Sequence, residues 1–509
     1  MNEQRKNPKG ESKNGYSGLT EVQFTPQDRI LIFAPHPDDE VLGCGGIIQS
    51  ALKMRLPINL VFFTYGDSNK WSFVLYRKRP ISLPKNFRNI GLIRYKETIK
   101  SAKILGLSPQ QLIFLGYPDF GTLKIWNAYW DRELSFRSTL TGASAVSYEN
   151  AFRTGAPYKG EEILRDIKVI INEFQPTKVF IPHPADHSPD HQALYLFTRV
   201  ALWDLEKNIE PEVYPYLVHY KEWPAPRGYH KDESLKAPTA MEQQILWQVH
   251  YLKSEEVELN HKALKAHRSQ YISNAKHLLS FVRNNELFGD FPTIELHPGK
   301  VLQFSYNQTE EFKNATEEPV GSGNKVSVGI KKKFIKVGEN SLAFFVKLPR
   351  FLGKETGISI YAFGRRADQP FSNKPKLHIK FGERMFVGIE TEFIKLKDKS
   401  LVFSVKLSRS LTKETEVAIC VFGYRADQPF LNMPKLHIKF SEFGHTVTDR
   451  NHLLPPDTVQ VIRETRQLTL EVPLKALGNP QKIFTSVRTY LVGDIPLDWF
   501  PWRIMEINI

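Results

Sequence analysis

The spacing of apolar residues changes along this chain, and the change divides it. Mostly apolar runs occur at 29–34, 58–64, 112–115, 177–181 and 213–219. Each is short and bounded by Gly, Pro or polar residues, as expected of strands buried on both faces. Between them the period lengthens to that of a helix, at 41–54, 89–106, 160–174, 189–206 and 253–274. In the second of these, Ile93, Ile99, Ala102 and Leu105 share a face that Gly106 closes, and Ser188-Pro189 is an N-cap and first-turn pair for the fourth. Strands alternating with helices predict an α/β domain over 25–300, Rossmann-like, three-layered and built on a mostly parallel sheet. Residues 120–158 have no clear period and are rich in aromatics, which predicts a long loop over one end of that sheet.

Further on, the pattern becomes alternation, which is strand chemistry, and it repeats. Val328-Gly329-Ile330 returns as Val387-Gly388-Ile389. Arg366-Ala367-Asp368-Gln369-Pro370-Phe371 returns as Arg425-Ala426-Asp427-Gln428-Pro429-Phe430, also 59 residues later. A degenerate third copy follows at an offset of 67: Leu401, Phe403, Val405 and Leu407 match Leu468, Leu470, Val472 and Leu474. The expected organisation is a disordered N-terminus at 1–24, the α/β domain at 25–300 and a polar linker at 301–326. All-β sandwich-like repeats then follow at 327–385, 386–445 and 446–509.

Composition narrows the function. At 509 residues the chain exceeds one ordinary core. Its two cysteines, Cys44 and Cys420, are too few for a disulfide framework or a Cys-built zinc site. No apolar run approaches the ~20 residues of a membrane helix, and residues 1–20 lack the apolar core of a Sec signal, so a cytoplasmic protein without a membrane span is expected. Residues 325–440 hold 23 basic and 10 acidic residues, nearly all of the net charge of +14. The first domain is therefore close to neutral, and nucleic acid is not an expected partner. The basic repeats could contact anionic glycans or simply carry solvated strand faces.

The chemistry sits at two strand ends. The run at 30–34 ends in Pro35-His36-Pro37-Asp38-Asp39-Glu40, followed by Gly43 and Gly45-Gly46. The run at 177–181 ends in Pro182-His183-Pro184-Ala185-Asp186-His187-Ser188-Pro189-Asp190-His191. Both are strand-to-helix junctions, where open α/β sheets bind ligands. Imidazole and carboxylate together suit Zn²⁺ or Fe²⁺ with a position left for water, and a neighbouring carboxylate can take that water's proton. The glycines do not spell a dinucleotide loop, and close helix–sheet packing is their expected role. Trp126, Tyr129 and Trp130 suit either stacking on a sugar ring or packing within the fold.

These motifs resemble those of the PIG-L (LmbE-like) deacetylases, which remove N-acetyl groups from GlcNAc-type sugars. Thr64-Tyr65-Gly66-Asp67, Arg94, Glu97, Gly116-Tyr117-Pro118-Asp119, Lys265, Ser269-Gln270 and Glu286-Leu287-Phe288 extend the resemblance over about 28–295. It implies a zinc-dependent N-deacetylase, with Fe²⁺ as the alternative metal, acting on an N-acetylglucosamine-type sugar or glycoconjugate. Carried over by position, the metal ligands are His36, Asp39 and His191, and Asp38 is the general base. Asp190 is a further catalytic residue, and Arg94 and Asp119 are substrate contacts. One departure stands out: the family's second motif commonly reads His-Pro-Asp-His, and here Ser188 replaces its first His. His187, one residue earlier, is the nearest imidazole for the role of stabilising the oxyanion. Two other readings stay open, an amidase or deacylase on another N-acyl small molecule, and a glycan-binding protein whose α/β domain has lost turnover.

Overall fold

The computed structural model describes residues 19–68, 84–130, 134–298, 301–305, four strands between 332 and 382, 387–491 and 495–508. Eight strands form the first sheet: β1 (Thr20–Glu21), β2 (Ile30–Ala34), β3 (Ile58–Thr64), β4 (Leu112–Tyr117), β5 (Lys178–Pro182), β6 (Glu212–Tyr216), β7 (Gln248–Tyr251) and β8 (Asn285–Phe288). Their order is β1-β7-β8-β6-β5-β2-β3-β4, and every pairing is parallel except those made by β8.

Among the described residues seven helices accompany the sheet: α1 (Asp39–Lys53), α2 (Pro84–Leu105), α3 (Thr122–Ala128), α4 (Gly160–Phe174), α5 (Pro189–Leu205), α6 (Ser254–Ala266) and α7 (Arg268–Leu278). Because side chains alternate across a strand, β2 feeds two cores. Leu31 and Phe33 join Ile163 and Ile167 of α4 and Phe197 of α5, whereas Ile30, Ile32 and Ala34 join Ile47 and Ile48 of α1 and Leu264 of α6. This is the three-layer arrangement expected from unbroken apolar strands. No helix among the described residues is long and apolar enough to cross a membrane.

The order also fixes where a ligand can sit. From β2 the chain builds outward through β3 and β4, then returns to the other side of β2 for β5 and β6. The crevice at the carboxyl ends of β2 and β5 is therefore the switch point. Immediately after β2, α1 packs close enough that a Cβ on Gly43 would lie 2.3 Å from the Tyr216 ring. The helix kinks at Cys44, and the amides of Gly46 and Ile47 donate to the Glu286 carboxylate at 2.6 and 3.2 Å.

The remaining strands are β9 (Ile294–Leu296), β10 (Val301–Ser305), β11 (Lys332–Val337), β12 (Leu342–Lys347), β13 (Gly357–Phe363), β14 (Lys376–Gly382), β15 (Ile389–Lys397), β16 (Ser400–Leu407), β17 (Thr415–Tyr424), β18 (Lys435–Ser441), β19 (Gly444–Asp449), β20 (His452–Leu454), β21 (Gln460–Arg463), β22 (Gln467–Pro473), β23 (Lys482–Leu491), β24 (Ile495–Trp499) and β25 (Arg503–Ile507). One sheet runs β10-β15-β16-β22-β21 and another β20-β19-β18-β17-β23-β25-β9, with β24 also on β23. Leu401, Phe403, Leu468 and Leu470 of the first share a core with Val417, Ile419, Leu436 and Val487 of the second, which makes a sandwich.

Three expectations change. β10 lies inside the span read as linker, and β9 pairs with β25, so the sandwich begins within the last residues assigned to the α/β domain. The spans 386–445 and 446–509 are not separate modules: β16 pairs with β22 and β17 with β23, so they are halves of one sandwich. Finally, 120–158 contains α3, and Trp126 and Trp130 are fully buried against Phe422, Phe430 and Phe484 of the sandwich. The two rings join the two parts of the chain and are not free to stack on a sugar.

Candidate metal centre and active site

The turn after β2 carries the first half of the site. His36 places Nδ1 3.1 Å from Asp39 Oδ2, and that same oxygen accepts the His36 amide at 3.0 Å. The other nitrogen of His36, Nε2, faces Asp119 and Asp190, each at 3.3 Å. The turn after β5 carries the second half. His191 Nε2 lies 3.0 Å from Asp39 Oδ2, and its Nδ1 lies 3.0 Å from Asp186 Oδ2. Neither nitrogen of His191 meets hydrogen-bond geometry at these distances, although both are buried. One atom of each of His36, Asp39 and His191 thus converges on a single point.

A carboxylate stands behind each imidazole, the place from which a hydrogen bond fixes the tautomer of a metal-binding His. Asp190 behind His36 also accepts the amides of Phe120 and Thr122 at 2.6 and 3.3 Å, together with the Thr122 hydroxyl. Asp186 behind His191 accepts Ser188 N at 2.9 Å on Oδ1, and Val218 N and His219 N at 3.0 and 2.8 Å on Oδ2. It therefore ties the second motif to the loop after β6.

Asp38 stands next to the cluster with φ +120. Glu40 holds its amide at 2.8 Å, and the other Glu40 oxygen contacts His267 Nε2 at 2.9 Å. Arg94 donates to Pro37 O at 2.6 Å, Gly66 O at 3.0 Å and Asp38 Oδ1 at 3.4 Å. Residue 66 must be glycine: its φ is +63, and a Cβ there would lie 2.0 Å from the guanidinium. Burial pushes the Asp38 carboxyl up to about 7 against the pull of Arg94, with Asp39 adding to the rise. Burial alone would raise Asp39 too, but His191 and His36 hold it well below the usual carboxylate range.

The site therefore gathers His36, Asp38, Asp39, Arg94, Asp119, Asp190 and His191, but it spends some of them differently from expectation. Arg94 is buried and its charge is used on Asp38 and two carbonyls, so substrate contact is not its visible work. Asp119 accepts Ser68 N at 2.8 Å and backs His36. Asp190 lies on the far side of His36 from Asp39. The ring of His187 turns away from the cluster and packs 5.2 Å from Tyr220 and 5.5 Å from Trp499, because its neighbour Ser188 begins α5 and its own amide is tied to His219 O.

The imidazole that does reach the cluster is His219, whose ring nitrogen groups with the ligand atoms of His36, Asp39 and His191 within 4.8 Å. Its ring lies 4.8 Å from that of His191 and is only partly buried. The available signal was its place at the end of a predicted strand. Asp186 and His267 were likewise passed over.

Residues 31–202 match the family described as PIG-L, GlcNAc-PI de-N-acetylase, a span holding both halves of the site. The chain carries a PIG-L family domain. His219 lies beyond the matched span. Among solved structures, the chain is similar to N,N'-diacetylchitobiose deacetylase from Pyrococcus horikoshii at 22% identity, covering 48% of this chain and 70% of that one, with a TM-score of 0.28. It is similar to the A40926 pseudoaglycone deacetylase at 16% identity, covering 52% and 96%, with a TM-score of 0.33. It is also similar to the 4-carboxy-2-hydroxymuconate hydratase from Pseudomonas putida KT2440 at 15% identity, covering 50% and 83%, with a TM-score of 0.31. At these values none of the three bears on the activity of this PIG-L domain. No curated protein matches the chain.

Proposed function

We propose that this protein is a metal-dependent N-deacetylase acting on an N-acetylglucosamine-type sugar or glycoconjugate. The observation that carries the reading is the convergence of His36 Nδ1 and His191 Nε2 on Asp39 Oδ2 at 3.1 and 3.0 Å, with Asp38 beside them. The donor set fits a divalent cation. It offers two imidazoles and a carboxylate, the buried His191 Nε2 lacks a hydrogen bond, and Asp119, Asp186 and Asp190 leave a surplus of negative charge. His36, Asp39 and His191 would hold Zn²⁺, or Fe²⁺ in its place. When bound, the cation supplies Lewis acidity, lowering the pKa of a water and polarising the acyl carbonyl.

The other residues take roles from where they sit. Asp38 accepts the proton of the attacking water, since its carboxyl stands beside the ligand cluster and burial raises its affinity for a proton. As the C–N bond breaks, Asp38 returns the proton to the departing amine, so acetate and a free amino sugar leave. Arg94 and Glu40 hold Asp38 in its left-handed conformation. Asp119 and Asp190 orient His36, and Asp186 orients His191. His219 occupies the exposed side of the cluster. None of the described residues ties down its ring by a hydrogen bond, so the ring is free to donate to the acyl oxygen as negative charge develops there. It thereby serves the role that the resemblance gives to the His replaced by Ser188.

The test is acetate release from GlcNAc conjugates by zinc-loaded protein, with bound metal counted in parallel. The expected result is stoichiometric acetate and amine that a chelator abolishes. Full metal loading without acetate from any N-acetyl sugar would overturn the reading.

A further inference from the structure

The chain contains three copies of one four-strand half-unit, and two of them complete each other. The second copy comprises β15 to β18, and the third β21, β22, β23 and β25. They meet across an approximate twofold axis. Phe403 of β16 stands opposite Leu470 of β22, which is its own counterpart 67 residues on. In the other sheet Cys420 stands opposite Ser486, and Ile419 opposite Val487, about the same centre.

The first copy has the same pairing register as the second. Val337 is opposite Leu342 as Leu396 is opposite Leu401, and Ile358 is opposite Phe381 as Val417 is opposite Phe440. Its sequence keeps the apolar positions. Leu342, Phe344 and Val346 stand where Leu401, Phe403 and Val405 are buried in the second copy, and Ile358 and Ile360 stand where Val417 and Ile419 are buried. Among the described residues β11 pairs only with β12, and β13 only with β14. The edges of β12 and β13 are the ones that, in the second copy, the third copy covers.

We propose that the first copy is completed by the first copy of a second chain, which forms an intermolecular sandwich on the plan of the intramolecular one. The duplication identifies the partner: the two halves that pair within the chain are copies of one unit, so the unit's edges are complementary to its own copies. The register then places the axis. On β12 it passes through Phe344, so Ala343 faces Phe345 of the partner subunit and Leu342 faces the partner's Val346. On β13 it passes between Ile360 and Tyr361, so Ser359 faces the partner's Ala362 and Ile358 the partner's Phe363.

Charge is the independent check. Residues 325–440 hold 23 basic residues, and like charges directly opposite destabilise a strand pair. The two strands at the proposed contact escape this. β13 carries no charged residue, and β12 carries one, Lys347, at the end of the strand away from the axis, so it is not set against its own copy. Closed twofold pairing also covers two apolar edges that no strand covers among the described residues, and such edges invite aggregation.

The experiment uses the full chain. Light scattering across a concentration series should give twice the chain mass. Phe344→Asp sets two carboxylates against each other at the axis, and it should reduce the mass to that of one chain while leaving zinc binding and the far-ultraviolet spectrum unchanged. Phe344→Cys should form an intermolecular disulfide on mild oxidation, since the two introduced thiols meet at the axis. Leu342→Cys should not, since the residue opposite it is a valine and its own copy lies four residues away along the strand. A wild-type chain that is monomeric at every concentration would overturn the proposal. So would a dimer indifferent to Phe344→Asp, or a Phe344→Cys chain that cross-links no faster than Leu342→Cys.

Discussion

Replacing Trp126 by Ala tests whether the β-sandwich supports the wall of the candidate metal centre. The indole is fully buried, with ring centroids of Phe197, Phe430, Phe484 and Phe422 at 5.0, 5.2, 5.6 and 5.9 Å. Its ring nitrogen has no hydrogen-bond partner, so the substitution removes packing alone. A tryptophan buries roughly 250 Å², and about 25 cal/mol per Å² puts the upper bound near 6 kcal/mol. Core truncations of this kind cost about 3–5 kcal/mol, less where the neighbours collapse inward. Phe197 comes from the α/β domain and the other three rings from the sandwich, so collapse would need both to move. The expected loss is about 4 kcal/mol.

The same variant should disturb the metal site at a distance. Helix α3 begins at Thr122, which holds Asp190 behind His36. Its far end is held by His437 Nε2 at Asn127 O, 3.2 Å away. Loss of an outer carboxylate's orientation typically weakens metal affinity by ~10–100-fold, and a loosened α3 should fall near the lower figure. Urea unfolding followed by circular dichroism gives the stability, and zinc titration gives the affinity. Phe443→Ala, at an 80% exposed position, is the control and should stay within about 0.5 kcal/mol. A loss below about 1 kcal/mol in the Trp126 variant would refute the claim that the two parts share a core.

Asp38→Asn should leave zinc content near wild type and remove turnover, measured as acetate release against metal stoichiometry; Asn tolerates positive φ, so folding should survive. His219→Ala should lower kcat by ~10²–10³ while zinc affinity stays within a few-fold; a parallel collapse of affinity would make it a ligand instead. His437 and His183 are pushed down to about 4 and about 3, chiefly by burial, with nearby cations adding to the shift. Unfolded, each takes a proton near pH 6.5, so stability is full above that pH and falls as pH drops toward 4, by roughly 1.4 kcal/mol per unit for each group. Urea midpoints between pH 7 and 5 should therefore fall less steeply in His437→Asn than in wild type.

What could be read from the sequence follows from how local each signal is. β2 and β3 were legible because a strand buried on both faces needs a mostly apolar run, and α5 because Ser188-Pro189 marks its start. His36, Asp38, Asp39 and His191 stand out as candidates because donors crowd the ends of such strands, and their separate roles come from the resemblance to the PIG-L family. His219 was not, since a single His after a strand has no neighbour to announce it. What places it is Asp186, 33 residues earlier, through the His219 amide. His187 was chosen by adjacency, and the turn into α5 sends adjacent side chains in different directions.

The β repeats show the same limit more sharply. Alternation identified their strands and self-similarity their copies, but neither says which edge meets which. A copy counted as a module by its sequence period is half a module by its pairing, because the period reports descent and the pairing reports which apolar faces can be covered. Trp126 makes the point from the other domain. Its place in an aromatic stretch near the site suited a sugar platform, yet its partners, Phe422, Phe430 and Phe484, lie 296 to 358 residues further along the chain. The sandwich grips α3, α3 holds Asp190, and Asp190 lies against His36, so the all-β part of the chain reaches the candidate metal site through α3, and among the described residues none of its side chains joins the His36, Asp39 and His191 cluster.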